Sequence, residues 1–180
     1  MAQRVVCRHD DFDFRMEPSQ YMAIHLEFVK AGLTETAVLQ FTQDGRLKNF
    51  DPELIEYMRE TPNWDYQIHG WAHDRYPELE TDFIVRDISA ACWWCDRLFG
   101  KKPTVWYPPW NLCTKNMERA AQILNLTISN ESYDIARFIR EVEGGHYEGT
   151  TLYFHGWNSS EMLLFPKMIE LLKGLNAPSV

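Results

Sequence analysis

The sequence predicts an α/β protein built around a parallel sheet, and two observations carry that expectation. Strand-like and helix-like segments alternate six times along the chain, with little else between them. The helix-like segments also carry recognisable start and stop residues at their ends.

The first strand is the β-branched run in RVVCRH, residues 4–9, and EPSQYMAIHLEFVKAG follows as a helix, with Ser19 as its expected cap and Gly32 as its stop. TAVLQFT is the second strand. DPELIEYMRE opens a helix with Asp51 as cap and Pro52 in the first turn, where its missing N–H costs nothing. DYQIHG is the third strand, and a long helix over 78–99 comes next. Its apolar positions Phe83, Ile84, Ile88, Ala91, Cys92, Cys95 and Leu98 recur near the helical period. PTVWY is the fourth strand, TKNMERAAQILN a helix capped by Thr114, and LTIS the fifth strand. SYDIARFIREVE reads as a helix ended by Gly144 and Gly145, TTLYFH as the sixth strand, and SSEMLLFPKMIELLKG as the last helix, interrupted by Pro166. This order fits either an open doubly wound sheet or an incomplete (β/α) barrel, and periodicity does not choose between them.

At 180 residues the chain is expected to form one domain, 1–180. Its 45% hydrophobic and 24% charged residues fit a folded globular protein. A net charge of −8 opposes a phosphate backbone, so nucleic acid is not an expected partner. Neither a signal-peptide pattern nor a membrane-length apolar run is read, so the protein is expected to be cytoplasmic with no membrane partner; the oligomeric state is not legible. The C-x-x-C of ACWWCDR has no second pair to complete a four-thiolate site, and both cysteines fall on the apolar face of the long helix.

Both candidate architectures gather ligand chemistry beyond the carboxyl ends of their strands. Four of the six histidines lie there: His9 beside Asp10 and Asp11, His69 and His73 after the third strand, and His155 after the sixth. His25 and His146 read as surface or packing residues. Asp11, His69 and His73 form a carboxylate and two-imidazole set suited to a borderline divalent cation, most naturally Zn2+, with Co2+ or Ni2+ as other candidates. Strict strand alternation would separate Asp10 from Asp11, so the strand must end or bulge there.

Together these motifs resemble the polysaccharide deacetylases, the NodB-like carbohydrate esterase family. The family's T-F-D-D-G aligns with Arg8-His9-Asp10-Asp11-Phe12, and its H-[S/T]-x-x-H with His69-Gly70-Trp71-Ala72-His73. Its F-R-P-P-Y-G aligns with Trp106-Tyr107-Pro108-Pro109-Trp110-Asn111, and its L-x-H with Tyr153-Phe154-His155. The resemblance implies a distorted, incomplete (β/α) barrel of about six to seven strands. It also implies metal-dependent hydrolysis of an N-acetylated sugar or polysaccharide. Asp11, His69 and His73 would bind the metal, Asp10 would be the general base and His155 the general acid, with the backbone N–H of Trp110 facing the oxyanion. Trp71, Tyr107, Tyr153 and Trp157 are the expected substrate-side residues. Two other readings stand beside it: a deacetylase-like carbohydrate-binding module that has lost the reaction, and a metal-dependent hydrolase of a nucleotide-linked or modified small molecule.

The departures are specific. The family arginine that orients the base falls on Tyr107, the Ser or Thr that supports the metal site on Gly70, and the acetyl-pocket Leu on Tyr153. Without that arginine, Asp10 loses a charge-assisted hydrogen bond unless Arg8, Arg137 or Arg140 replaces it. Asp13 and Asp74 read as solvated or capping residues. Trp93, Trp94 and Trp106 read as packing.

Overall fold

The computed structural model describes residues 5–43, 46–47, 50–73 and 76–176. Asp74 lies outside them. Strand β1 (Val6–Phe12) leads through helix α1 (Pro18–Ala31) to β2 (Glu35–Gln40). A small antiparallel hairpin follows, β3 (Thr42–Gln43) and β4 (Arg46–Leu47), then α2 (Pro52–Glu60) and β5 (Trp64–Gly70). Helix α3 (Thr81–Phe99), β6 (Val105–Trp106), α4 (Lys115–Ile123) and β7 (Thr127–Ile128) come next. The chain finishes with β8 (Tyr133–Asp134), α5 (Ile135–Glu143), β9 (Thr151–Phe154) and α6 (Ser159–Asn176).

Apart from the hairpin, seven strands make one sheet in the order β7-β6-β5-β2-β1-β9-β8, every neighbouring pair parallel. This order settles the architecture. A doubly wound sheet reverses direction about its first strand and leaves the chain's early and late strands on separate wings. Here the strands advance in chain order from β1 to β7, and β9 returns to the free side of β1. The break falls between β7 and β8, so the sheet is a curled, incomplete (β/α) barrel of seven parallel strands.

The segment pattern gave six strands and the resemblance six to seven. The seventh is β8, whose Tyr133 and Asp134 belong to a segment read wholly as helix. Asp134 does both jobs: it pairs with Tyr153 in the sheet and caps α5 by accepting from Arg137 N at 2.8 Å. The expected fourth strand shrinks to two residues because Thr104 N and Val105 N donate to the Gln67 side-chain oxygen, at 3.0 and 2.8 Å, instead of to strand backbone. Glu17, not Ser19, caps α1, since Pro18 takes the first helical position. Asp51 and Thr114 cap α2 and α4 as read from the sequence. Helix α3 starts at Thr81, after a separate single turn over Tyr76–Glu78.

Two apolar layers cover the outer face of the sheet. One joins α2, α3 and α4 to β2, β5 and β6 through residues such as Leu39, Ile68, Leu54, Ile88 and Met117; Trp106 and Cys95 are buried in it, with Cys92 and Trp94 packed alongside. The other sets Phe28, Phe138, Phe165 and Met168 against Cys7, Leu152 and Phe154. Trp93, expected to pack, is 59% exposed. All four cysteines are free, and burial pushes the Cys92 thiol up to about 11. The inner side of the half-barrel is polar by contrast: Arg8, Asp10, Gln67 and His69 are buried there.

Candidate metal and catalytic site

The site begins with an irregularity in β1. Its pairing with β2 shifts register between His9 and Phe12, and Asp11 adopts φ 51°, a conformation Asp tolerates better than most residues. The bulge breaks strand alternation, so Asp10 and Asp11 line one cavity together with His69, His73, Trp110, Asn111, Tyr153 and His155. That cavity is open to solvent and has a volume of about 460 Å³.

Asp11 Oδ1 lies 3.3 Å from His69 Nε2 and 3.3 Å from His73 Nε2. Tetrahedral bonds of about 2.0–2.1 Å hold ligand atoms about 3.3 Å apart, so this spacing suits one cation between all three. The protonation chemistry fits as well. His69 Nδ1 donates to the Tyr107 carbonyl at 2.7 Å, which leaves its Nε2 lone pair facing Asp11. Burial and the neighbouring His69 lower the pKa of His73 and favour its neutral, ligating form. Burial alone would raise the Asp11 carboxyl, yet the electropositive surroundings made by His69, His73 and His155 hold it well below the usual carboxylate range. Among the described residues Asp11 Oδ1 is buried with no hydrogen-bond partner, an orphan a bound cation would satisfy.

Asp10 is held by an arginine from its own strand. Arg8 Nε donates to Asp10 Oδ1 at 3.0 Å, and a second guanidinium nitrogen donates to Oδ2. The guanidinium lies 4.3 Å from the centre of the Tyr107 ring and 5.7 Å from that of Tyr153, and two of its nitrogens donate to Asn111 Oδ1 at 3.2 Å. Tyr107 therefore stands under the arginine, buried and outside the residues lining the cavity, rather than in the substrate-side position expected of it. Of the other candidate arginines, Arg137 stacks on Tyr133 and Arg140 pairs with Glu141.

His155 lies across the cavity, its Nε2 3.9 Å from Asp11 Oδ2. Its Nδ1 meets Glu161 Oε1 at 3.0 Å, and its backbone N–H donates to Glu161 Oε2 at 2.7 Å. Burial would lower this imidazole, but contact with Glu161 outweighs it and raises the pKa above the ordinary value. Sequence reasoning missed Glu161. The only signal was a carboxylate shortly after His155, in a segment read simply as a helix start.

Gly70 also finds its explanation. A Cβ there would meet the Tyr76 hydroxyl at 2.3 Å, so that hydroxyl fills the space a side chain at 70 would need. It accepts from Trp71 N at 3.1 Å and donates to Asp87. Trp71, expected on the substrate side, stacks on Phe41 with ring centres 6.0 Å apart and is not among the residues lining the cavity. Trp110 (φ 55°, 51% exposed) sets its ring edge against His73, and Trp157 (43% exposed) lies beside His155. Asp13 is buried and paired with Arg15, not solvated, and His25 is buried in the core.

A family model described as polysaccharide deacetylase matches residues 27–129. The match includes His69, His73 and Trp110, but neither the Asp10–Asp11 pair nor His155. The chain is similar in structure to a family 4 carbohydrate esterase from Streptomyces lividans solved with acetate: TM-score 0.75, 17% identity, 96% of this chain and 88% of that one. A chitin deacetylase from Colletotrichum lindemuthianum gives TM-score 0.77 at 14% identity, over 100% of this chain and 85% of that one. A family 4 pseudoenzyme from Bacillus anthracis gives 0.74 at 14% identity, over 97% of this chain and 62% of that one. Identities this low speak to a shared fold. Among curated proteins, none matches in sequence.

Proposed function

Since the chain belongs to the polysaccharide deacetylase family, we propose that it is a single-domain, metal-dependent hydrolase that removes acetyl groups from an N-acetylated sugar or polysaccharide. Asp11, His69 and His73 would hold a divalent cation, Zn2+ by the chemistry of the donor set. Such a cation, when bound, supplies a Lewis acid for the acyl carbonyl and makes water nucleophilic near neutral pH.

The remaining chemistry belongs to the chain. Asp10, fixed in its bidentate pair with Arg8, takes the proton from the attacking water. The Trp110 backbone N–H faces the developing oxyanion. An amine leaves poorly as an anion, so the departing nitrogen needs a proton, and His155 gives it from Nε2 while Glu161 holds Nδ1. Trp110 and Trp157, both exposed at the cavity mouth, offer ring faces for stacking on a pyranose.

The observation that carries the reading is the orphan Asp11 Oδ1, 3.3 Å from two imidazole nitrogens and beside a braced carboxylate and a braced imidazole. The non-catalytic reading draws on the pseudoenzyme neighbour and on Tyr107 in the arginine's place. Arg8 weakens it, because the base keeps its cationic partner. Metal analysis of wild type, Asp11→Ala and His69→Ala, followed by acetate release from N-acetylated saccharides and nucleotide sugars, tests the proposal. Metal in the wild type alone, with acetate release lost in Asp10→Asn, is the expected result. A wild type that binds metal but releases acetate from no substrate favours the binding-module reading.

A further inference from the structure

A second polar assembly lies behind the site, on the helix-covered face of β1, and the chemistry above makes no use of it. His9, Glu35 and His25 are all buried, joined by hydrogen bonds of 2.7 Å (His9 Nδ1 to Glu35 Oε1) and 2.9 Å (His25 Nδ1 to Glu35 Oε2). One end of the chain is His25 Nε2, 2.9 Å from the Pro62 carbonyl oxygen. The other is His9 Nε2, which accepts from the Gly156 backbone N–H at 3.1 Å.

Donor and acceptor counting assigns the protons. A backbone N–H can only donate, so His9 Nε2 is bare and its Nδ1 carries the proton toward Glu35. A carbonyl can only accept, so His25 Nε2 is protonated, and one further proton lies between His25 Nδ1 and Glu35. Every ring nitrogen and both carboxylate oxygens are thus satisfied, which a buried polar group requires. The rings are immobilised too. His9 stacks on Phe154 at 4.6 Å, and His25 lies flat on Trp64 at 3.6 Å.

The end at Gly156 gives the assembly a purpose. Gly156 directly follows His155, and a Cβ on it would sit 2.5 Å from His9 Nε2, so the backbone has closed as far onto the imidazole as a glycine allows. The phenylalanine that the family motif carries at position 9 has the ring but no acceptor. We propose that His9 is a positioning residue, anchored by Glu35 and His25, which ties the 155–156 peptide down and so aims His155 at the leaving amine. This rests on the proposed function, in which His155 is the acid.

Three variants and two substrates test it. Replacing His9 by Phe (H9F) keeps the ring and removes the acceptor; His9→Gln places a carboxamide oxygen where Nε2 was. An N-acetylated chitooligosaccharide needs an acid for its leaving amine, whereas 4-nitrophenyl acetate releases a phenolate that needs none. H9F is expected to lower kcat on the amide about 10- to 100-fold, as a small misplacement of a reacting group does. KM, bound metal and turnover of the ester should stay within about twofold, and His9→Gln should recover most of the loss. Equal loss on both substrates, or no loss, overturns the proposal. Hydrogen exchange at Gly156 N–H gives a reading independent of turnover: slow in the wild type and fast in H9F is expected, and fast exchange in the wild type overturns it. If H9F does not fold, Gly156→Ala, which forces the loop off His9, must show the same amide-selective loss. Should the wild type hydrolyse neither substrate, the proposed function fails. Exchange at Gly156 then separates the two failures: fast in the wild type, the restraint by His9 is absent and this proposal fails on its own ground; slow in the wild type and fast in H9F, the restraint stands and its service to an acid falls with the proposed function.

Discussion

Replacing Arg8 with threonine, the residue the family motif carries there, isolates the brace on Asp10. The pair is buried on both sides, with side-chain exposures of 0% and 4%, so the substitution leaves a carboxylate without its partner rather than a solvated one. Breaking a buried ion pair costs about 3–5 kcal/mol. For a chain of this size, 1 kcal/mol shifts Tm by about 2–4 °C, so a fall of about 6–20 °C is expected. Activity should fall further than stability alone implies, because Asp10, the proposed base, also loses its aim: about 100-fold in kcat/KM for acetate release, by the scale of general-base contributions. Arg8→Lys should fall between, since an ammonium cannot make the two parallel bonds. The informative variant is the double one. Tyr107 lies directly under the guanidinium, 4.3 Å away, so Tyr107→Arg in the Arg8→Thr background puts a cation back within reach of Asp10 by the family's own route. It should regain at least about tenfold over Arg8→Thr, with unchanged bound metal. Arg8→Thr with wild-type kcat/KM would refute the reasoning, and so would a double variant no better than the single one.

Other expectations follow from the same geometry. Glu161→Gln removes the contact that raises the His155 pKa, so the alkaline limb of the kcat profile should move down toward the ordinary imidazole value of about 6.5. The stability difference has a definite sign: a raised folded pKa stabilises below about 6.5 and is lost as pH rises through the folded value, so Glu161→Gln should be destabilised at pH 6 more than at pH 9. Gly70→Ser, which restores the family hydroxyl, drives its Cβ into the Tyr76 hydroxyl and should lower metal affinity about 10- to 100-fold by competition titration; adding Tyr76→Phe should relieve part of the loss. Chelation of a metal held at about 100 times its Kd removes about 2.7 kcal/mol, and Tm should fall by about 5–11 °C, with no such fall in Asp11→Ala. Trp157→Ala should raise KM for a saccharide at least about threefold with little change in kcat, because stacking at the mouth stabilises ground and transition states alike.

The fold was legible wherever local chemistry decides structure. Asp51 with Pro52, Thr114 and Gly32 mark helix ends by hydrogen bonds or backbone freedom that depend only on near neighbours. Strand order was not legible, since the return of β9 to β1 is a contact between residues about 145 apart. β8 was hidden for a related reason. Two residues that pair only with β9 leave no alternation to read, and Asp134 looks like a helix cap because it is one. The carboxylate and imidazoles of the site could be picked out because their residue types are rare at strand ends. Which of Tyr107, Trp71 and Tyr153 would face the cavity could not, because that depends on where β1 bulges and how Phe41 packs.

The groups that support the site are the least legible, and they bear most directly on whether the chain is a catalyst. Read along the sequence, Tyr107 and Gly70 look like losses. In space each is matched by a supply from elsewhere: a guanidinium from position 8 reaches Asp10 over the Tyr107 ring, and a hydroxyl from position 76 occupies the space beside Gly70. His155 acquires Glu161 from α6 in the same way. A carbohydrate-binding module would gain nothing from a bidentate brace on a carboxylate that touches no sugar, and a buried charge pair is an expensive feature to keep without use. If the brace serves chemistry, Arg8→Thr leaves the affinity for a deacetylated saccharide, measured by calorimetry, within about twofold while acetate release falls. An affinity that falls with the brace would put Arg8 in the binding surface, and this case for catalysis falls with it.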